Sequence, residues 1–313
     1  MKILITGVTA FVGSHLADYL IDEEKLEVHG IRRPRSRDEF IRKEITYHEA
    51  DVADYTGVSA VVKKVKPDFL FHLAAQSDVA LSWKAPSVTI ATNVLGTLNV
   101  LEAVRHESPD TIIHFAGSSE EYGLVQPNEV PIKETNPLRP MSPYGVSKVA
   151  ADLLSQQYCK SYGIKVVVTR GFNHTGPRRG EFFATSSFAK QIAEIEGGRD
   201  PVIYVGNLEA QRDWTDVRDM VKAYWLAASL CPFGKPFNIC SGRAVKVGDM
   251  LNMLLGMASV KIQVEQDEAR MRPSDVPILL GDSGRFREAT GWEPKVPFEE
   301  TLEDLLDYWR ERV

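Results

Sequence analysis

The sequence has 313 residues, of which 43% are hydrophobic and 26% are charged, a composition that is typical of a folded globular protein and excludes a disordered chain. The net charge of −6 lacks the basic excess that a nucleic-acid-binding surface requires. Cys159, Cys231 and Cys240 make an odd count without ligand-like spacing, so we expect neither a disulfide framework nor a metal site.

The N-terminal residues lead directly into a strand-like pattern and show none of the regions of a signal peptide. We also expect no apolar run to reach the roughly 18 residues of a membrane span. These features predict a cytoplasmic protein that binds neither nucleic acid nor membranes.

The chain begins with a predicted strand, a glycine turn and a helix. Residues 2–6 form an apolar run, and apolar residues recur at helical spacing over 14–21. In dinucleotide-binding sites this arrangement directs a helix N-terminus at a pyrophosphate. The middle glycine of that motif is replaced by Ala10, whose methyl narrows the room for the pyrophosphate. An ordinary strand-to-helix turn is the alternative. The predicted cofactor contacts here are Gly7, Ala10, Phe11, Val12 and Gly13.

The end of the second predicted strand, 26–31, indicates which dinucleotide binds. NAD sites carry a carboxylate there for the ribose 2′-OH, whereas the 2′-phosphate of NADP requires arginine. Arginines occupy positions 32, 33, 35 and 37, and the first carboxylate is Asp38. The pattern favours NADP over NAD, with Arg32 as a contact, and a solvated basic loop is the alternative.

Further strands are predicted over 45–50, 68–73 and 111–116, with helices over 54–66 and 86–106 between them. Asp51 and Val52 follow the third strand, where they can meet the adenine ring. His72 is interpreted as a packed structural histidine. The alternation predicts an α/β fold with a Rossmann-type, doubly wound parallel sheet. The segment after the fourth strand is suited to lie against the nucleotide and comprises Leu73, Ala74, Ala75, Gln76 and Ser77.

Tyr144 and Lys148 are four residues apart on a predicted helix, so their side chains share one face. An ammonium beside a phenol favours the phenolate, and we expect Lys148 to lower the pKa of Tyr144. Just after the fifth strand, Ser118 or Ser119 can hydrogen-bond a substrate oxygen, and Glu120 can act as a second acid or base. A solvated surface pair and a capped loop are the alternatives.

These motifs together resemble the extended short-chain dehydrogenase/reductases that act on nucleotide sugars. The loops at 117–123, 173–180 and 206–214 are similar to the branch of GDP-mannose 4,6-dehydratases and GDP-4-keto-6-deoxymannose reductases. The resemblance covers nearly the whole chain. Two departures are Ser118, where the dehydratases usually have threonine, and Val88, where some have a cofactor-contacting tyrosine.

The resemblance implies roles for individual residues. Tyr144, Lys148 and Ser118 correspond to the catalytic residues, and Glu120 corresponds to the dehydratase base that removes the C5 proton. The remaining implied positions are Arg32, Asp51, Val52, 73–77, His174 and Arg179 for the cofactor, and Asn173, Arg212 and Arg272 for the substrate diphosphate.

The second half predicts a smaller, interleaved substrate domain. We assign 1–170 to an NADP-binding Rossmann domain that also receives part of 212–240, and 171–313 mainly to substrate binding. The resemblance implies conversion of GDP-mannose to GDP-4-keto-6-deoxymannose, and a homodimer or homotetramer. A reductase acting on the 4-keto sugar is the first alternative, and a non-catalytic NADP-sensing module is the second.

Overall fold

The computed structural model describes residues 1–34, 39–271 and 276–313. The strands are β1 (Lys2–Thr6), β2 (Glu27–Arg32), β3 (Thr46–Glu49), β4 (Phe69–His72), β5 (Ile112–Ser118), β6 (Val166–Gly171), β7 (Asn173–Thr175), β8 (Val202–Val205), β9 (Gln211–Asp216), β10 (Pro236–Ile239), β11 (Ala244–Lys246), β12 (Gln263–Gln266) and β13 (Ile278–Leu279). The helices are α1 (Phe11–Asp22), α2 (Tyr55–Val65), α3 (Val79–Lys84), α4 (Pro86–Ile90), α5 (Gly96–Glu107), α6 (Pro143–Tyr162), α7 (Ala184–Glu196), α8 (Val217–Leu230), α9 (Val247–Gly256), α10 (Gly284–Thr290) and α11 (Phe298–Arg310).

A seven-stranded parallel sheet has the order β10-β6-β5-β4-β1-β2-β3. The strand order reverses next to β1, as in doubly wound folds that bind ligands at the carboxyl ends of the strands. The prediction of an α/β fold with such a sheet is confirmed. β10 belongs to the second half of the chain and pairs with β6, so the two halves interleave.

Both faces of this sheet are covered, which explains why its strands are apolar throughout. Successive side chains of a strand point to opposite faces. Ile3 and Ile5 accordingly pack in the core beneath α1 and α8, whereas Leu4 packs in the core beneath α2, α5 and α6.

The rest of the second half builds around β9, which pairs with β7, β11 and β13. A third core joins α7, α9 and α11 through residues such as Phe188, Leu251 and Leu305. β8 and β12 form a separate two-stranded sheet.

The predicted helix over 86–106 is a longer run in which α4 passes through a π-helical turn (Ala91–Leu95) into α5. By length and composition alone, the run Pro86–Glu107 could cross a membrane, so the expectation that no apolar run reaches this length was wrong. Its Val100, Leu101 and Val104 are buried in the core under the sheet. Core helices pass the same two criteria, and this burial accounts for the apolar sequence.

Candidate active site

The glycine turn brings the first and fourth strands together. Gly7 has a φ of +73°, and a Cβ there would lie 3.0 Å from the Cα and N of Ala74. A Cβ on Gly13 would lie 2.1 Å from the carbonyl oxygen of Gly7. Both positions therefore require glycine, and the turn lies directly against the segment that follows β4.

The side chain of Thr6 also links β1 to the end of β4. Its Oγ1 accepts hydrogen bonds from the backbone N–H groups of Leu73 and Ala74, each at 3.1 Å, and lies 2.8 Å from His72 Nδ1. His72 Nε2 contacts Thr97 Oγ1 at 3.1 Å, and burial lowers the pKa of His72 to about 3. The interpretation of His72 as a packed, neutral structural residue is consistent with these contacts.

The N-terminus of α1 suits an anionic group. Ala10 is the N-cap, and α1 has neither a side-chain cap nor an acidic residue in its first turn. Its first N–H groups and the positive end of its dipole thus face the glycine turn without a competing carboxylate. Phe11 and Val12 are half-buried at this end. The turn therefore fits the pyrophosphate of a dinucleotide.

The carboxyl ends of β2 and β3 form the adjoining edge of this site. The Arg32 guanidinium lies 3.5 Å from Glu49 Oε1 and 5.3 Å from the centre of the Tyr47 ring. Asp51 Oδ1 accepts a hydrogen bond from the Ala53 N–H at 2.9 Å. Arg35 and Arg37, which belong to the basic stretch that favours NADP, lie outside the described residues, as does Asp38.

The segment after β4 runs along the mouth of the sheet. Leu73, Ala74, Ala75 and Gln76 are half-buried, and Ser77 is exposed. Asn93, in the π-helical turn, holds Gln76 by accepting from its N–H at 2.8 Å and donating to its carbonyl at 3.0 Å. Asn93 Nδ2 also donates to Ser147 Oγ at 2.8 Å. The π-helical turn therefore ties this segment to α6.

Tyr144 and Lys148 both lie on α6, as predicted, and are buried in its first two turns. Ser142 caps the helix by accepting a hydrogen bond from the Gly145 N–H at 3.0 Å, and Pro143 follows as its first residue. Lys148 Nζ donates to the carbonyl oxygen of Ala116 on β5, and burial lowers the pKa of Lys148 to about 8.

The expected lowering of the Tyr144 pKa was wrong. The pKa of Tyr144 is raised to about 12, chiefly by burial, and the charge of Glu120 acts in the same direction. A hydrogen bond with Ser118 lowers it, as does the charge of Arg179. Burial of the phenol therefore outweighs the effect expected of Lys148, whose ammonium donates to the Ala116 carbonyl oxygen.

Ser118 and Glu120 lie where β5 enters a 3₁₀ turn (Ser119–Glu121). The Oγ of Ser118 accepts a hydrogen bond from the Glu120 N–H at 3.2 Å and is in hydrogen-bonding contact with Tyr144. Glu120 is half-buried, and its charge acts on the Tyr144 phenol. The structure thus brings the four predicted catalytic residues, which come from β5, its turn and α6, to one place.

The loop after β7 adds aromatic and cationic groups to the site. His174 stacks on Phe11 with ring centres 6.1 Å apart, and its Nδ1 lies 2.9 Å from the Phe172 carbonyl oxygen. The Arg179 guanidinium lies between the rings of Phe11, at 4.9 Å, and Phe183, at 3.4 Å. Burial lowers the pKa of His174 to about 4 and that of Arg179 to about 10.

The predicted diphosphate residues lie beside this loop. Asn173 is half-buried at the start of β7, and β7 pairs with β9, which carries Arg212. Arg212 is 7% exposed and donates to the carbonyl oxygens of Val276, at 2.7 Å, and Gln211, at 2.9 Å. Arg272 lies outside the described residues.

Comparison with known proteins identifies the family. The family described as GDP-mannose 4,6 dehydratase matches residues 4–305. A GDP-mannose 4,6-dehydratase of Yersinia enterocolitica is 33% identical over 348 residues, covering 97% of this chain and 92% of that protein. The chain belongs to the GDP-mannose 4,6-dehydratase family. It is therefore an enzyme of nucleotide-sugar chemistry, as the resemblance predicted.

Other relatives of this GDP-mannose 4,6-dehydratase family member carry a different activity. A GDP-6-deoxy-D-mannose reductase of Pseudomonas aeruginosa is 31% identical over 317 residues, covering 100% of this chain and 98% of that protein. The solved structure of RMD from the same organism, complexed with NADPH, has a TM-score of 0.87 at 30% identity and covers 100% of both chains. The UDP-glucose 4-epimerase of Thermus thermophilus, in complex with NAD, has a TM-score of 0.90 at 30% identity over 100% of both chains. A dinucleotide cofactor is common to these neighbours.

Several residues that organise the site of this family member were missed by the sequence analysis. They are Thr6, Asn93, Glu121, Asp152 and Arg170. One signal was available: Asp152 lies four residues after Lys148, on the face of α6 that also carries Tyr144. Asn93 gave no such signal because its partners, Gln76 and Ser147, are 17 and 54 residues away.

Proposed function

We propose that the protein is an NADP-dependent GDP-mannose 4,6-dehydratase that forms GDP-4-keto-6-deoxymannose with loss of water. The observation that carries this proposal is the position of Glu120, whose charge acts on the Tyr144 phenol next to Ser118. A carboxylate beside the tyrosine provides a second acid/base group. Dehydration requires such a group, whereas simple ketone reduction does not.

Tyr144 takes the proton of the C4 hydroxyl, and Ser118 holds the C4 oxygen through its hydroxyl. The buried phenol needs a nearby cation to ionise, and the ammonium of Lys148 and the guanidinium of Arg179 are the candidates. A nicotinamide cofactor held in this site would supply the acceptor for the C4 hydride and the donor of the hydride to C6.

Glu120 removes the proton from C5, which the new C4 ketone has made acidic, and gives that proton to the C6 hydroxyl, which leaves as water. The double bond between C5 and C6 that results is saturated by hydride at C6 and by the proton of Tyr144 at C5. The sugar therefore keeps a ketone at C4 and loses one water. General acid/base catalysis of this kind contributes about 10²–10⁴-fold to the rate.

We propose that the predicted cofactor residues bind NADP, with the pyrophosphate at the N-terminus of α1. Arg32 supports a preference for the 2′-phosphate because it is a cation at the end of β2. NAD remains the alternative cofactor. His174 and Arg179, stacked on Phe11, would line the same site.

We assign substrate binding to the second half of the chain. The cofactor is assigned to residues 1–170, together with the strand and helix within 212–240. Asn173 and Arg212 lie on the paired strands β7 and β9, and we propose that they hold the diphosphate of a GDP-sugar together with Arg272. A guanidinium suits this role because it can donate two parallel hydrogen bonds to phosphate oxygens.

A homo-oligomer formed through α4, its π-helical turn and α6 is also part of the proposal. These elements expose Val88, Leu95, Val146 and Leu153, which are each about half accessible to solvent. Exposed apolar side chains on neighbouring helices suit a protein interface. The cytoplasmic location expected from the sequence also remains part of the proposal.

The reductase is the second candidate, and alignment length favours it. The Pseudomonas reductase aligns over 317 residues with the 313 of this chain, whereas the Yersinia dehydratase aligns over 348. The reductase thus matches with fewer insertions. A non-catalytic NADP-sensing module is less consistent with a site in which Ser118 is in hydrogen-bonding contact with Tyr144 and Lys148 is buried on the same helix.

One assay separates these candidates. The protein is incubated with GDP-mannose and NADP, and the sugar nucleotide and the NADPH absorbance are followed together. A dehydratase consumes GDP-mannose and forms a 4-keto product without a net change in NADPH. Oxidation of NADPH only when the 4-keto sugar is supplied would identify the reductase, and binding of NADPH without any turnover would identify the sensing module.

A further inference from the structure

Two carboxyl groups and one guanidinium are buried next to the Tyr144–Lys148 pair. Glu121 and Asp152 are both fully buried, and we call them the carboxyl pair. Arg170 Nε lies 2.8 Å from Asp152 Oδ2 and 3.1 Å from Glu121 Oε2. Two full negative charges that are buried away from water beside one guanidinium are costly. The ammonium of Lys148 also interacts with both carboxyl groups.

The hydrogen bonds of this cluster are distributed unequally. Arg170 Nε donates a hydrogen bond to Asp152 Oδ2. Its Nη1 donates to the Tyr122 hydroxyl and to the Glu134 carbonyl oxygen. Glu121 Oε1 accepts the Ser118 N–H at 2.7 Å. Glu121 Oε2, although buried, receives no hydrogen bond from the described residues. A buried carboxylate oxygen without a donor is rare and unfavourable.

Protonation of Glu121 resolves this deficit. An O–H on Oε2 needs an acceptor, and the Asp152 carboxylate is within hydrogen-bonding reach of Glu121. We propose that Glu121 is a neutral carboxylic acid in the folded protein at neutral pH, donating its proton to Asp152 while its carbonyl oxygen holds the Ser118 N–H. Glu121 is then a positioning residue for Ser118. The protonation of Glu121 does not depend on the proposed function, whereas the catalytic role of Ser118 does.

The surrounding charges agree with this assignment. The groups that face Glu121 are Asp152 and Lys148 from α6, Arg170 from β6, and the phenols of Tyr122 and Tyr144. Burial, followed by the charge of Asp152, raises the pKa of Glu121, and the charge of Arg170 lowers it. With Glu121 neutral, Asp152 keeps its ion pair with Arg170 and is no longer beside a second negative charge.

The turn around Glu121 leaves little room for another geometry. Glu121 and Ser118 form a reciprocal capping box, in which the Ser118 hydroxyl accepts from the 3₁₀ turn and the Glu121 carboxyl accepts the Ser118 N–H. A Cβ on Gly117 would lie 2.6 Å from Glu121 Oε1. Because Glu121 Oε1 accepts the Ser118 N–H, displacement of the Glu121 side chain would shift the Ser118 backbone. The Ser118 hydroxyl that contacts Tyr144 would move with it.

The first test is the pH dependence of stability for Glu121→Gln. The folded protein keeps the Glu121 proton that the unfolded chain releases above about pH 4.5, so rising pH destabilises the wild type relative to the variant. The melting temperature of the variant minus that of the wild type should increase by about 2 °C per pH unit between pH 5 and 7. The control Glu265→Gln, at an exposed position, should show no such slope. A flat difference for Glu121→Gln would mean that Glu121 is ionised and would overturn the proposal.

The second test reads the proton directly. The infrared spectrum of the wild type minus that of Glu121→Gln should contain the carbonyl band of a protonated carboxylic acid at pH 7. A carboxylate band in its place would contradict the neutral acid. Neither this test nor the first uses substrate, so a failure of the proposed reaction leaves both results interpretable.

The third test concerns positioning. Glu121→Leu removes the acceptor of the Ser118 N–H and should lower kcat at least tenfold with a smaller change in KM. Glu121→Gln, which supplies an amide oxygen to Ser118 and an amide N–H to Asp152, should recover most of that loss. If Glu121→Leu folds poorly, the stabilities of Glu121→Gln and Asp152→Asn are compared instead. Asp152→Asn should be the less stable variant, because it leaves the Arg170 guanidinium without its carboxylate partner. Equal kcat in the Leu variant and wild type, or a more stable Asp152→Asn, would refute the assignment.

Discussion

Glu120 is the side chain on which the two candidate reactions differ. Tyr144, Lys148 and Ser118 serve either hydride transfer, whereas a C5 base is needed for dehydration alone. Its carboxylate is close enough for its charge to raise the pKa of Tyr144. The two groups therefore face the same small region, where a hexose ring can present C4 to one and C5 to the other.

Glu120→Gln should reduce the turnover of GDP-mannose by about 10²–10⁴-fold, because the amide cannot take the C5 proton. Binding of NADPH should be unchanged. The measurements are steady-state turnover and a fluorescence titration with NADPH. Glu265→Gln is the matched control, since Glu265 is exposed on β12. Turnover by Glu120→Gln at the wild-type rate would remove Glu120 from the mechanism.

At the scale of elements, the contact of α1 with β1 sets the cofactor turn. Gly13→Ala introduces a Cβ at 2.1 Å from the Gly7 carbonyl oxygen, so α1 must move away from the turn. We expect a loss of about 1–3 kcal/mol in the free energy of unfolding, as for other overpacked sites. NADPH affinity should fall by at least tenfold.

Thermal melts and NADPH titration measure these two effects. Gly256→Ala is the control, because a Cβ at the end of α9 meets no heavy atom within 4 Å. That variant should be as stable as the wild type or slightly more stable. Normal NADPH affinity in Gly13→Ala would show that the cofactor does not depend on this contact.

Element by element, local sequence patterns predicted much of this site, whereas its non-local contacts could not be predicted. Gly7, Tyr144 and Lys148 follow short-range rules of turns and helical faces, and each lies in the predicted element. Gly13 was predicted in the turn but lies in the first turn of α1, because the helix begins at Phe11. The ion pair of Arg170 with Asp152 joins β6 to α6 across 18 residues, and no local pattern signals it. Burial is a property of the assembled core, so the raised pKa of Tyr144 could not be predicted from its spacing to Lys148.

At the scale of the whole molecule, the proposed self-association depends on the exposed apolar side chains of α6 and its neighbouring helices. Leu153 is 53% exposed on α6. Leu153→Glu places a charge in the proposed interface, where it would lose water without gaining a partner, and should convert the oligomer into smaller species. Light scattering after size-exclusion chromatography measures the mass.

Leu230→Glu is the control for this experiment, because Leu230 is similarly exposed, at 55%, at the end of α8. It should leave the mass unchanged. An unchanged mass in Leu153→Glu, or a monomeric wild type, would rule out an interface through α6.

The central claim is an internal redox cycle in which the hydrogen removed from C4 returns to C6 of the same sugar. Its most direct test is the conversion of GDP-mannose that carries deuterium at C4, followed by nuclear magnetic resonance of the product. We predict a 4-keto-6-deoxy sugar with deuterium in the C6 methyl group. A product without deuterium at C6, or unconverted GDP-mannose in the presence of NADP, would contradict the account.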